Sequence, residues 1–219
     1  MKRQAIVVGL GQFGMAVAKA LSDKNVEVFA VDIDDSKVQA AAHFVAEAAT
    51  LDAMNEEALA QTAPDRRDLC LCAIGDEAKD ASIICTALLC QLGAKRVVAR
   101  ANDGLHARIL KLVGATAIVN PEREFGERFA NRLLHDDIQG DMPLGLGLWV
   151  TQLTCPTAFV GKQLRDLQLP TRFGLTLVAL RRVGSTEVVM PSADLVTKEG
   201  DVLILVAREG AVTGMMERL

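Results

Sequence analysis

The stretch AIVVGLGQFG, residues 5–14, decides how the first half of this chain is read. An apolar run, Ile6-Val7-Val8, passes directly into Gly9-x-Gly11-x-x-Gly14, and a helix-forming segment follows. That order of strand, glycine turn and helix is the opening of a dinucleotide-binding fold. The first glycine permits a tight turn, the second lets backbone approach phosphate, and the third lets the helix pack close. The helix N-terminus beyond them offers unpaired N–H groups and a positive dipole to an anion. The motif alone leaves open whether a nucleotide is a reagent in catalysis or a signal that is read.

Beyond the motif, apolar strands and helical stretches alternate through the first 120 residues. The pattern predicts strands at 4–9, 27–32, 44–48, 69–73, 96–100 and 117–120, with helices near 13–22, 36–42, 55–61, 79–92 and 105–113. The strands are short, rich in β-branched residues and apolar on both faces, as a parallel sheet covered by helices requires. Strict alternation with short links argues for an α/β fold, a Rossmann-type doubly wound parallel sheet.

The second strand ends at Asp32, 18 residues after Gly14, where a carboxylate accepts hydrogen bonds from ribose hydroxyls. An acid there favours a free 2′-OH and repels a 2′-phosphate. In "VDIDDSKV", Asp35 is expected to cap the next helix, while Asp34 is placed to cap or to reach the ribose edge. Asp52 follows the third strand, where a ligand's base would lie; helix capping by Asp52 or Asn55 is an equal alternative. The loop Ala73-Ile74-Gly75-Asp76 follows the fourth strand at the switch point, and Gly75 lets backbone come close to a ligand. Arg100 ends the fifth strand on the same side, placed for a charge-assisted contact with phosphate or for a surface ion pair.

Pro121 then opens a long helix, expected to run to about Ile138, with Phe125, Phe129, Leu133 and Leu134 forming one apolar face. A loop containing Gly140, Pro143, Gly145 and Gly147 is expected next. From Leu148 the pattern changes to strand (148–154), short helix (161–167), strands (176–181, 187–190, 202–207) and a terminal helix from Ala211. Gly184-Ser185 and Lys198–Asp201 look like hairpin turns. The expected division is a nucleotide-binding domain over 1–120, a crossover helix and linker over 121–140, and a smaller antiparallel-rich α+β domain over 141–219.

Composition narrows the function. Half of the 219 residues are hydrophobic, enough for a substantial core, and the net charge of −4 gives no basic stripe for nucleic acid. No apolar run approaches the roughly 18 residues of a membrane span, and Met1-Lys2-Arg3 leads into a strand rather than a secretory h-region. A cytosolic protein is expected, with a membrane protein still open as a partner. Five cysteines (Cys70, Cys72, Cys85, Cys90, Cys155) include no Cys-x-x-Cys pair and no histidine at ligand spacing. They are expected to be buried and structural, with Cys70 and Cys72 on one face of their strand. An oxidoreductase needs a proton donor in its substrate half, and the second half contains no histidine. His43, His106 and His135 form no recognisable pair with a serine, cysteine or carboxylate motif. A small NAD-dependent oxidoreductase is therefore the secondary reading.

The segments "IVVGLGQFG", "VFAVDIDDSKV", "LCAIGD", "VVARAND", "LVGATAIVNPEREFG" and "VGKQLRDLQLPTRFGLTLVALRR…MPSADLVTKEGDVLILVA" together resemble the RCK family, regulators of potassium conductance such as the cytosolic Ktr and Trk subunits. The resemblance spans nearly the whole chain. It implies a regulatory, non-enzymatic subunit that binds ATP, ADP, AMP or NAD(H) in the N-domain crevice. It also implies a homodimer joined through the crossover helix, assembly into an octameric ring, and docking beneath a KtrB/TrkH-like potassium-translocating subunit at the inner face of the membrane. The site it implies comprises Gly9, Gly11, Gln12, Phe13, Gly14, Asp32, Ile33, Asp34, Asp52, Ala53, Ala73, Ile74, Gly75 and Arg100. Glu122, in "NPERE", matches a family acid that helps hold a divalent cation between subunits in some Ktr-type members. Two positions depart from the pattern. Gln12 stands where Ktr-type ATP sensors commonly carry arginine, which shifts the expectation toward NAD(H) or AMP. Pro170 stands where members that bind cyclic di-AMP tend to carry a basic residue, so that ligand is not expected.

Overall fold

In a computed structural model, residues 2–219 are described, with the side chains of Asp76, Glu127, Arg128, Asn131 and Arg132 excepted. The chain divides into two units, Met1–Arg123 and Glu124–Leu219. In the first, β1 (Gln4–Val8), β2 (Glu27–Asp32), β3 (Glu47–Thr50), β4 (Leu69–Cys72), β5 (Val97–Arg100) and β6 (Ala117–Val119) form one sheet. All pairs are parallel, in the order β3-β2-β1-β4-β5-β6. Chain direction across the sheet reverses at β1, so a crevice opens between the carboxyl ends of β1 and β4.

Period-two alternation sorts the strands' side chains onto two buried layers. Val7, Val28, Ala30 and Leu71 pack with Ala18 of α1 (Gln12–Asp23) and with Val38 and Ala41 of α2 (Asp35–Ala42). Ile6, Val8, Val31, Cys70, Cys72, Val97 and Ala99 pack on the other face. There they meet Leu59 of α3 (Glu56–Ala60), Cys85 and Leu89 of α4 (Lys79–Gln91), and Leu110 of α5 (Gly104–Leu112). Cys70 and Cys72 share a layer with Cys85, as their spacing predicts. Strand β3 begins three residues later than expected. Phe44 and Val45 donate their N–H groups to Ala41 O at 3.0 and 3.1 Å, closing the end of α2, and pack under the sheet instead of extending it.

Helix α6 (Pro121–Leu134) stops short of the expected Ile138. In the second unit, β7 (Ile138–Gly145), β8 (Leu148–Thr154), β9 (Thr176–Arg181), β10 (Val188–Val189) and β11 (Val202–Arg208) form a sheet ordered β10-β9-β11-β8-β7 with antiparallel pairing throughout. Strand β7 occupies the segment expected to be a loop. Its glycines and Pro143 are accommodated because it is an edge strand whose register shifts between Ile138/Gly140 and Pro143/Gly145. Leu146 and Gly147, at φ +55° and +74°, make the two-residue turn into β8. Gly184-Ser185 does lie between the paired strands β9 and β10. Lys198–Asp201 does not close a hairpin, because β11 pairs with β8 and β9 rather than β10. The predicted helix at 161–167 is reduced to α7 (Leu164–Leu167), followed by α8 (Leu169–Phe173); α9 (Ala211–Met216) ends the unit. Leu153, Leu180, Leu203 and Leu205 of the sheet bury against Leu167, Leu169 and Met215 of these helices.

Candidate functional site

The glycine loop is built by close contacts that its sequence anticipates. Gly9 adopts φ +89°, and a Cβ there would stand 3.0 Å from Ile74 N. Gly14, inside α1, lies so near the loop that a Cβ would fall 1.8 Å from Gly9 O. Gly11 differs: its φ of −64° suits any residue, and a Cβ would meet nothing within 4 Å. What glycine leaves at Gly11 is room. No side chain caps α1 and no acid occupies its first turn, so its leading N–H groups and dipole are left for an anion.

Around this loop lies a cleft of about 660 Å³ at the carboxyl ends of the strands. Gly9, Gly11, Asp32, Ile33, Asp52, Ala53, Ala73, Ile74, Gly75 and Arg100 all line it. Four predicted residues do not. Gln12 is the exposed first residue of α1, and Gly14 is buried between helix and loop. Phe13 packs beneath the sheet, with the Arg100 guanidinium 5.7 Å from its ring centroid. Asp34 turns away to cap α2, accepting from Ser36 N at 2.9 Å and Ser36 Oγ at 2.6 Å. Those Ser36 hydrogen bonds, the side-chain one foremost, hold the Asp34 carboxyl below its ordinary range. Capping therefore belongs to Asp34 and not to Asp35, which instead accepts from Gln39 Nε2 and Thr50 Oγ1 at 2.6 and 2.7 Å.

Asp32 is 9% exposed and ties two loops together. Its Oδ2 accepts Leu10 N–H at 2.5 Å and its Oδ1 accepts Asp34 N–H at 2.9 Å. A carboxylate offers about four lone-pair sites, so two backbone donors leave capacity for ribose hydroxyls. Asp52 accepts Met54 N–H at 2.9 Å, while Asn55 caps α3 through Ala58 N at 3.1 Å. That division leaves Asp52 in the cleft and resolves the capping alternative in favour of Asn55.

Several lining residues lie outside the sequence-derived set: Lys37, Leu51, Met54, Glu77, Ala78 and Ala81. Lys37 is brought back by the first turn of α2 to within 3.9 Å of Asp32 Oδ1 and 3.7 Å of Asp34 Oδ2. Its presence in "DIDDSKV", one helical turn past Asp34, is the signal that could have found it. Leu51 and Met54 adjoin Asp52 and Ala53, whereas Glu77, Ala78 and Ala81 come from the turn before α4 and its first residues. Among the described residues, the charged side chains lining the cleft are the acids Asp32, Asp52 and Glu77 and the bases Lys37 and Arg100.

Arg100 joins the two readings the sequence left open. It lines the cleft, and its Nη2 donates to Glu122 Oε1 in the first turn of α6. Glu122, the candidate cation ligand, is thus engaged with an arginine; no group of three or more potential ligands stands together among the described residues. None of the three histidines lines the cleft, and His106 is buried in α5.

The chain and its fold have counterparts among known proteins. The TrkA-N domain family matches residues 5–121, and the TrkA-C domain family matches residues 153–219. The Ktr system potassium uptake protein A of Vibrio alginolyticus is 35% identical over 99% of this chain and 98% of its own. The Ktr system potassium uptake protein C of Bacillus subtilis is 32% identical over 97% and 94%. Among solved structures, the GsuK channel bound to NAD aligns with 96% of this chain at a TM-score of 0.64 and 16% identity, and the GsuK RCK domain with 98% at 0.55 and 23%. This chain spans less than half of either solved chain, 38% and 46% respectively, so those likenesses speak to fold. With both of its domain families matched and Ktr relatives aligned end to end, the chain belongs to the RCK family of TrkA-N/TrkA-C proteins.

Proposed function

We infer that this protein is a nucleotide-binding regulatory subunit of a potassium transporter or channel, and that its nucleotide is read rather than consumed. The observation that carries the reading is the cleft, in which an uncapped helix start, the open space over Gly11 and the Asp32 carboxylate converge. The N–H groups of the glycine loop suit phosphate, Asp32 suits an unmodified ribose, and the walls at Leu51, Ala53 and Met54 suit a base. ATP, ADP, AMP and NAD(H) share these three parts, and the relatives named for potassium uptake favour a regulatory use of them. The full-length likeness to proteins named for potassium uptake favours this reading over an oxidoreductase.

The proposed assembly is a homodimer that builds an octameric ring beneath a potassium-translocating membrane subunit. Support comes from α6, where Phe125, Phe129, Leu133 and Leu134 are 53%, 42%, 67% and 75% exposed and the two phenylalanine rings stack at 5.4 Å. So large an apolar face on one helix calls for a partner surface. Among the described residues no helix is long and apolar enough to cross a membrane, so attachment at the inner face would run through the membrane subunit. Ligand exchange gates such a ring only through its differential affinity for two ring states.

Potassium uptake tests the reading. Cells lacking their own uptake systems and carrying the cognate membrane subunit should grow at limiting potassium when this chain is co-expressed. Growth unaltered by the chain would rule out a regulatory role.

A further inference from the structure

The β7–β8 hairpin ends in a run, Met142-Pro143-Leu144-Gly145-Leu146-Gly147-Leu148-Trp149, that carries no charged residue. Met142, Leu144, Leu146 and Leu148 are 54%, 51%, 105% and 40% exposed. Leu146 stands at the turn itself with φ +55°, between Gly145 at +90° and Gly147 at +74°. That left-handed conformation suits glycine, asparagine or aspartate and is unfavourable for leucine. Neither backbone conformation nor burial within this chain accounts for a leucine there.

Strand β7 lies at the edge of its sheet, yet Pro143 has no N–H to donate and the register shifts at Ile138/Gly140 and Pro143/Gly145. Proline and irregular register blunt a strand edge against pairing with another strand. What the hairpin offers a partner is therefore its apolar side chains. The face of α6 formed by Phe125, Phe129, Leu133 and Leu134 is a second exposed surface of the same kind. Only His135–Asp137 separate α6 from β7, and Ile138 N–H donates to His135 O at 2.9 Å, so the hairpin is rooted at the end of that helix.

Area decides whether α6 is enough by itself. At roughly 190 Å² for a fully exposed large apolar residue, the four α6 residues offer about 450 Å² per copy and the four hairpin residues about as much. A permanent homodimer interface buries about 2,000 Å² or more and is about 65% apolar, which requires about 1,300 Å² of apolar surface. Two α6 faces supply about 900 Å², short of that requirement, whereas α6 and the hairpin tip together supply about 1,800 Å². We propose that the tip of the β7–β8 hairpin is a second contact of the homodimer, seating Met142, Leu144, Leu146 and Leu148 of each copy on the other. This inference rests on the reading that the chain dimerises through α6.

Sedimentation of the full chain over a dilution series tests it on wild type, Leu146→Asp, Leu146→Gly and Leu133→Asp. Aspartate and glycine both accept the backbone at Leu146 more readily than leucine, so both tip variants should keep the wild-type urea midpoint. Each tip variant should raise the dimer dissociation constant at least about tenfold, since every dimer loses two buried leucine side chains. Leu146→Gly separates that loss from the charge which Leu146→Asp adds. Trp149, half-buried at the base of the tip and the chain's one tryptophan, should shift its emission to the red as wild type dissociates. Tip variants that dimerise with the wild-type constant overturn the proposal. If Leu133→Asp alone then breaks the dimer, the α6 reading stands and only the tip contact falls. Wild type that stays monomeric throughout ends both. A normal dimer in Leu146→Asp, with potassium uptake lost in cells, assigns the tip to the membrane subunit and overturns the proposal equally.

Discussion

Two alanine substitutions in the glycine loop should separate packing from ligand approach. At Gly14 the new Cβ would sit 1.8 Å from Gly9 O, whereas real Cβ contacts do not fall below 3.0 Å. Helix α1 or the loop must therefore yield by about 1.2 Å, and neither neighbour is the flexible end of a side chain. Overpacking of this kind costs about 1–3 kcal/mol, so Gly14→Ala should lower the unfolding free energy by that amount in urea. It should weaken nucleotide binding as well, since the displaced elements carry the N–H groups proposed to face phosphate. At Gly11 the added methyl meets nothing within 4 Å, and the backbone conformation already suits alanine. Gly11→Ala should therefore change stability by less than about 1 kcal/mol, the usual difference between glycine and alanine at a helix N-cap. Its methyl nevertheless enters the cleft that Gly11 lines, so nucleotide affinity should fall at least tenfold, about 1.4 kcal/mol. Urea unfolding and calorimetric titration on the two variants are the paired assays. Normal stability in Gly14→Ala would refute the contact between α1 and the Gly9 carbonyl. Normal affinity in Gly11→Ala would show that no ligand approaches the backbone there.

Asp32→Asn should weaken adenine-nucleotide binding by about 1–3 kcal/mol and also lower stability, because Leu10 N–H and Asp34 N–H lose a charged acceptor; unchanged affinity in titration would remove Asp32 from the ligand site. Cys70, Cys72, Cys85 and Cys155 are buried and Cys90 is half-buried, so a colorimetric thiol reagent should find at most one fast-reacting group in the native protein and all five in denaturant. Burial pushes the Cys70 thiol up to about 12, which slows it further, and two or more fast native thiols would contradict this packing. Asp103, the N-cap of α5, has its carboxyl lowered to about 2, chiefly by His106 N–H and then by Lys79. A carboxyl lowered on folding stabilises fully above its ordinary value of 3.8 and loses that contribution as pH falls toward about 2. The melting temperature of Asp103→Asn should therefore lie below wild type at neutral pH, with the gap closing across that acid window; a pH-independent gap would contradict the assignment.

The parallel half of the fold was legible because its strands alternate between two buried layers. That burial demands the continuous apolar runs visible at Ile6–Val8, Val28–Val31 and Leu69–Cys72. Phe44 and Val45 misled because an apolar pair reads as strand, and only the end of α2 shows that the pair packs without pairing. Strand β7 was hidden by Gly140, Pro143 and Gly145, residues that argue for a loop unless the segment lies at a sheet edge, which local sequence does not reveal. The site shows the same division. Residues that leave a strand at its carboxyl end, such as Asp32, Ala73 and Arg100, can be found by counting along the motif. Lys37, Glu77 and Ala81 are brought to the cleft by the turns that begin helices, and the pairing of Arg100 with Glu122 depends on strand register. Gln12 stood out in the sequence, yet its side chain sits at the exposed start of α1 and does not line the cleft.

We propose that this chain reads an adenine nucleotide in the cleft over its glycine loop. Calorimetric titration of the purified protein with NADH, AMP, ADP and ATP measures that directly. Saturable binding of at least one of them, one ligand per chain, displaced by the others and weakened in Asp32→Asn and Gly11→Ala, is the predicted result. Folded protein that gives no saturable heat with any of the four at millimolar concentration, or whose binding is indifferent to both substitutions, would contradict it.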